Sequence, residues 1–425
     1  MAPEKFAMTS IPDAAVPRAT PDTAAFDEAA RRRSIRFLNW AHFLDHYVIL
    51  IFPTVVIGLE AIYGRSYGDL LGLSTAAFTA FGLFALPAGW LADHWSRRNM
   101  MAIFFIGTGV SAAAVGLAPN FTLLATALFG IGVCGAIYHP VGTPMLVEQA
   151  INRGRTMSLN GVCGNIGVSV AAAITAALTA WIGWRWAFFV PAAVFIVTGI
   201  FYLALTPNDH GGRRSAAPHA QDVALDKRMV FAVVAAFMAL ALSSGLAFNA
   251  LTVTLPKIID ARLGDGIPLT MVGFLATAVF LCGAAAQLSV GRLVDRFQPH
   301  HLLAGVALTQ LIGVVWLNYA TGWPMLAALA ITIAAIYGQV TLNDIVLARY
   351  TPPAWRGRIY AVRFFLNFTS AGPAVWGIGR LYDHGGFSLV LAITAMVAGV
   401  FVANSLLISA LVSGAENRRR QVAAE

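Results

Sequence analysis

"GWLADHWSRRNM", residues 89–100, returns in outline as "GRLVDRFQPHH" at 291–301. Each copy follows a long apolar run, opens on a glycine and sets an acid four residues on. Gly89 and Asp93 thus answer Gly291 and Asp295, and the second copy carries Arg296 beside its acid where the first has Arg97 and Arg98 farther on. The two glycines are 202 positions apart. Two further landmarks keep almost that offset. Pro53 of "LIFPTVV" and Pro256 of "VTLPKII" are 203 apart, as are Gly154 of "RGRTMSLNG" and Gly357 of "RGRIYAVRF". Three landmarks at one spacing define an internal repeat. Two parallel halves imply a pseudo-twofold axis along the membrane normal.

That a membrane is the solvent follows from composition. Hydrophobic residues make up 58% of the 425 and charged residues 11%, with a mean hydropathy of +0.72. Soluble domains carry about 25% charged residues. The apolar runs are long enough for helices crossing ~30 Å of hydrocarbon. They lack the ten-residue alternation of a transmembrane barrel. The net charge of +8 does not point to nucleic acid, because the basic residues sit in short loops between apolar runs. Cys134, Cys163 and Cys282 fall inside apolar runs and form no CxxC pair, which reads as small core residues.

Twelve spans are expected, at roughly 36–61, 68–92, 99–118, 121–148, 156–181, 185–205, 229–256, 268–293, 300–319, 323–349, 357–381 and 387–412. The domain plan is a disordered cytosolic N-tail (1–35) and a six-helix bundle (36–205). A cytosolic linker (206–228), a second bundle (229–412) and a cytosolic C-tail (413–425) follow. With both termini inside, 22 Lys and Arg fall on the cytosolic side and 5 on the other. The positive-inside bias supports that orientation, and the expected location is a bacterial cytoplasmic membrane.

Twelve spans, the parallel repeat and the "G-x-L-x-D-x-x-x-R-R" loop resemble the major facilitator superfamily over about residues 36–412. "AIYHPVGTPM" (136–145) and "GRTMSLNGVCGNIG" (154–167) look closest to its fosmidomycin-resistance exporter branch. The fold class implied is all-α integral membrane, with spans 1, 4, 7 and 10 around a central cavity. Val141 stands where that branch carries an acid after His-Pro. Span 4 reads "LLATALFG" where many proton-coupled relatives carry an arginine. A proton-coupled chain of this kind needs another carrier.

Span 1 supplies one. In "RFLNWAHFLDHYVILIFPTVV" (36–56), Asn39, His42, Asp45 and His46 share an arc of about 120° at helical spacing. The opposite face, Trp40, Leu44, Val48 and Ile51, is expected to meet lipid. A charge at Asp45, about 13 Å deep, costs at least about 2.5–3.5 kcal/mol unless it faces a cavity or partner. Asp45 is read as the proton carrier, with His42 and His46 tuning it. His139 precedes Pro140, whose missing N–H loosens span 4. Asp344 in span 10 and Arg363 in span 11 are expected at equal depth, as a pair or as an anion site. The other cavity candidates are Asn160, Asn165, Asn249, Asn343, Asn367, Tyr138 and Tyr337. Such side chains also bond neighbouring helices or simply pack. In the loops, Gly89 is expected to bring spans 2 and 3 together. Asp93 with Arg97 and Arg98 forms a gate latch, echoed by Gly291, Asp295 and Arg296.

The function read from these residues is secondary active transport by alternating access, coupled to protons. It moves a small organic or drug-like solute, with export favoured, as a monomer in the bilayer. Uptake of an organic anion, or of a metal or its chelate, is the alternative, and a non-transporting sensor or scaffold a lower one. No enzyme activity, cofactor or resident metal is expected. No "GxxxxGK[ST]" loop is present, and the sequence alone does not bring ligand pairs from different helices together.

Overall fold

The computed structural model describes residues 21–206, 227–264, 266–351, 359, 362, 363 and 365–422. The expected linker lies almost wholly outside these residues, as do the first 20 positions and the repeat landmark Gly357. The helices, in chain order, are α1 (Pro21–Ile49), α2 (Ile51–Tyr63), α3 (Tyr67–Gly72), α4 (Thr75–His94), α5 (Arg97–Leu117), α6 (Phe121–Gly135) and α7 (Thr143–Gln149). They continue with α8 (Arg153–Ile182), α9 (Trp186–Leu205), α10 (Lys227–Leu263), α11 (Leu269–Leu293), α12 (Pro299–Tyr319), α13 (Trp323–Tyr350) and α14 (Ala371–Val422).

These helices are the twelve spans. Span 1 is α1 and α2, span 2 is α3 and α4, and span 4 is α6 and α7 joined by a π-turn at Tyr138–Gly142. Spans 11 and 12 share one apolar helical stretch, Phe365–Gly414. Non-helical backbone at Gly385 and Gly386 divides it, with φ 60° at Gly386, a conformation that favours glycine. Polar side chains start several of the others. Ser96 Oγ accepts from Asn99 N (3.2 Å), Asn120 Oδ1 from Leu123 N (2.9 Å) and Asn152 Oδ1 from Arg155 N (3.0 Å), satisfying first-turn donors.

Two boundaries differ from the sequence expectation. Helix α1 begins at Pro21, so residues 21–35 are helical rather than tail. Glu28 bonds Arg31 and Arg32 at helical spacing, and Arg31 Nη1 reaches the Gln149 carbonyl at 2.8 Å. Span 7 runs through Pro256 to Leu263. Its extension is held by Lys257, which bonds Glu60 and Asp260, and by Arg262, which donates to the Leu317 carbonyl at 2.6 Å.

Within the first half, span 1 packs on span 5, span 3 on span 6, and span 4 on spans 2 and 3. In the second, span 7 packs on the α14 stretch, and span 10 on spans 8 and 9. Between halves, span 5 packs on span 8 and span 2 on span 11. The offset that relates span 5 to span 11 relates span 2 to span 8, so the repeat symmetry exchanges the two interfaces. Large apolar side chains face outward around the bundle. Trp181 and Phe231 are each 74% exposed, which suits hydrocarbon rather than water. The protein is an integral membrane protein.

Candidate functional site

A polar cluster lies at mid-span in the first half, and three helices build it. Span 1 brings Asn39, His42, Asp45 and His46. Span 4 brings Tyr138 and His139 from its π-turn. Span 5 brings Asn160. Pro140 has no N–H to give the Ala136 carbonyl, and the widened π-turn begins two residues before it. Gly164 of span 5 makes room, since a β-carbon there would lie 2.7 Å from His42 Cε1 and 2.9 Å from His46 Cδ2.

Asn160 ties the three helices together. Its side-chain nitrogen donates to Asn39 Oδ1 at 3.0 Å, and its oxygen accepts from the Tyr138 hydroxyl at 3.1 Å. His42 Nδ1 lies 2.7 Å from the Asn160 carbonyl. A carbonyl accepts and never donates, so Nδ1 carries the hydrogen and neutral His42 keeps its lone pair at Nε2. His46 Nε2 is 3.1 Å from that atom. His139 Nε2 is 3.5 Å from Asp45 Oδ2. Asp45 is 1% exposed, and neither carboxylate oxygen makes a hydrogen bond, nor does His139 Nε2. Ligand atoms of His42, His46 and His139 lie within 4.8 Å of one another. The His139 ring also packs on Phe368 of span 11, with centroids 5.1 Å apart, so the cluster touches the second half.

Other candidates lie elsewhere. Arg363 donates to Asp344 within the second half, and its guanidinium lies over the Phe237 ring at 6.0 Å. Asn165 bonds Gln287 of span 8 across the halves. Asn249 Nδ2 donates to the Gly245 carbonyl of its own helix at 2.9 Å. Asn367 Oδ1 crowds Gly245. Asn343 Oδ1 and the Tyr337 hydroxyl are buried without a hydrogen bond, and the Tyr337 ring packs on Phe248 at 5.8 Å.

Several expectations need correction. Leu44, Val48 and Ile51 are at most 3% exposed and face protein; of the expected lipid face, Trp40 alone is exposed, at 39%. Gly89 approaches Pro140 of span 4, not span 3, with 3.2 Å between a built β-carbon and Pro140 Cβ, while Gly291 has open space. Arg97 joins the loop acid to span 4. Arg97 Nη2 meets Asp93 at 3.1 Å and Arg97 Nη1 meets Glu148 of span 4 at 2.7 Å. Arg98 Nε donates to the Thr206 carbonyl at 2.7 Å, at the end of span 6. Asp295 and Arg296 are exposed.

The sequence reading passed over the contacts that join the halves at the Gly64 end. Lys257 of span 7 bonds Glu60 of span 1. Asp383 of span 11 accepts from Ser66 Oγ at 3.1 Å and from Gly68 N at 3.2 Å. The signal was present, because Lys257 directly follows the repeated proline and Asp383 sits in "YDHGG". Lys257 enters the sequence reading only as one of the five basic residues on the outer side, and Asp383 does not enter it.

Comparison with known proteins places this architecture. The model described as Major Facilitator Superfamily matches residues 37–366. A probable 4-methylmuconolactone transporter of Cupriavidus pinatubonensis is 22% identical over 381 residues, 86% of each chain. The lincomycin resistance protein of Streptomyces lincolnensis is 29% identical over 206 residues, 45% of this chain and 41% of that protein. Among solved structures, a D-xylose–proton symporter superposes with TM-score 0.69 at 16% identity, covering 88% of this chain and 96% of that one. A bacterial homologue of the human lysosomal transporter Spinster, inward-facing and unoccupied, gives 0.66 at 14%, over 91% and 96%.

Proposed function

Because the chain belongs to the major facilitator superfamily and is a secondary transporter, we propose that protons drive its alternating access and that Asp45 carries them. The observation behind this is the Asp45 carboxylate, 1% exposed, with no hydrogen bond to either oxygen and with His139 3.5 Å away. An ionised acid left so poorly paired in a helix bundle is costly, whereas a proton taken from the cavity removes the charge. His139 is the nearest relay, and the bond between His42 and His46 continues the path. The span 4 arginine of many proton-coupled relatives is absent, which leaves the role to this acid.

The solute is a small organic compound, and export is the favoured direction. Transporters and resistance proteins for such compounds are among the similar proteins. An organic anion is the weaker reading, since Arg363 already holds Asp344. The basic asymmetry of 22 to 5 supports an orientation with the Asp93 end and both termini in the cytosol. The tightly joined Gly64 end then faces outside.

Asp45→Asn in proteoliposomes tests the assignment. Accumulation driven by a pH gradient should fall to background, while solute-for-solute exchange persists near the wild-type rate. Gradient-driven accumulation at the wild-type level would remove Asp45 from the coupling route.

A further inference from the structure

We propose that His42, His46 and His139 form a binding site for one divalent transition-metal cation, with Asp45 beside them as the neutralising charge. Two helices supply the donors, so the site is built by the fold and not by a single stripe.

Three geometric facts carry the inference. First, the donor atoms of the three rings lie within 4.8 Å of one another. Metal–imidazole bonds of about 2.0–2.1 Å set tetrahedral donors roughly 3.3 Å apart. The Nε2 atoms of His42 and His46 are 3.1 Å apart, already at that spacing. His139 brings one nitrogen within 4.8 Å of a nitrogen on each of the other two rings, so a side-chain adjustment closes the site. Second, His42 is oriented as a ligand. Its Nδ1–H is tied to the Asn160 carbonyl at 2.7 Å, which fixes the tautomer and aims the Nε2 lone pair at the other rings. Such a second partner is the usual support of a metal-bound histidine. Third, the cluster holds unspent polar capacity. Both Asp45 oxygens and His139 Nε2 are buried without hydrogen bonds. A cation among the rings gives the carboxylate the charge partner it lacks. The hydrogen between His42 and His46 then moves to His46 Nδ1, and each Nε2 presents a lone pair.

Donor type selects the ion. Three imidazoles and one carboxylate suit zinc, cobalt, nickel or copper. Magnesium and calcium prefer six or more oxygen ligands, which these residues do not offer. A second histidine pair shows the contrast. His300 is bonded through Nδ1 to the Tyr350 hydroxyl at 3.0 Å and through Nε2 to Ser413 Oγ at 3.2 Å. Both its nitrogens are taken up by hydroxyl partners, and His301 Nε2 lies 3.4 Å from the same Ser413 Oγ.

The test uses the full chain, untagged, in detergent, stripped with chelator and titrated with Co²⁺ and then Zn²⁺. The expected result is one equivalent of Co²⁺ bound, with the visible absorption of a low-coordinate nitrogen–oxygen site. Zn²⁺ should displace it, and Mg²⁺ should not. His46→Gln and His139→Gln should each weaken binding by about 100-fold or more. Should those variants fail to fold, X-ray absorption of the wild type decides, with about three imidazole nitrogens at ~2.0 Å expected. Three findings would each overturn the proposal: no saturable binding by the wild type, an imidazole count below three, or undiminished binding by a folded His42→Gln/His46→Gln/His139→Gln protein. The readout needs neither gradient nor organic solute. Failure here leaves proton coupling through Asp45 standing, and failure of that coupling leaves this site standing.

Discussion

Arg363 and Asp344 form their bond in unequal surroundings. The arginine side chain is 10% exposed and the aspartate 46%. Removing either partner breaks this bond, but the costs differ because water already reaches the carboxylate. Asp344→Asn leaves a buried guanidinium and should cost about 2–4 kcal/mol of stability. Arg363→Gln leaves a half-exposed acid and should cost under about 1 kcal/mol. The double variant should be more stable than Asp344→Asn alone. Thermal unfolding in detergent reads all three, and equal losses from the two single changes would show that the pair is not asymmetric in this way. The sequence could bring these residues together because each lies the same number of residues from a recognisable span end. It could not assign their exposure, since that depends on which helices stand in front of them.

At the scale of elements, spans 2 and 11 touch backbone to backbone. A β-carbon on Gly82 would lie 2.6 Å from the Phe368 carbonyl oxygen, and a carbonyl cannot step aside as a side-chain tip can. Gly82→Val should therefore part these spans and loosen the Gly64 end. A single cysteine at Tyr67, which is buried against Tyr382, in a background with Cys134, Cys163 and Cys282 replaced by serine, should be labelled several-fold faster when Gly82→Val is added. An unchanged rate would mean that the contact does not hold that end shut. This interface also shows what hydropathy hides. Lipid and a neighbouring helix are equally apolar, so Leu44, Val48 and Ile51 read as lipid-facing although span 5 covers their helix closely. There a β-carbon on Gly167 would clash with the Phe43 carbonyl. The twelve spans and the repeat were legible because length and spacing carry them. The π-turn that turns Tyr138 and His139 toward span 1 was hinted at only by Pro140, and it is what unites the cluster.

For the whole molecule, orientation is the premise on which the two ends acquire meaning. Reporter fusions at residue 215 and after residue 425 should both read as cytosolic, given the basic asymmetry; an external reading at either site would exchange the two ends. Among the described residues, span 1 alone carries both the Asp45 cluster and Glu60, the partner of Lys257. Between them the helix is interrupted at Leu50, where α1 gives way to α2, three residues before Pro53. A ligand taken up at the cluster and the closure of the distant end thus act on one jointed rod. Thermodynamic linkage makes that relation two-way. If filling the cluster shifts the closing equilibrium by some factor, closing must shift the cluster's affinity by the same factor. A crosslink between positions 60 and 257 would then retune binding some 20 Å away without touching a single residue that binds.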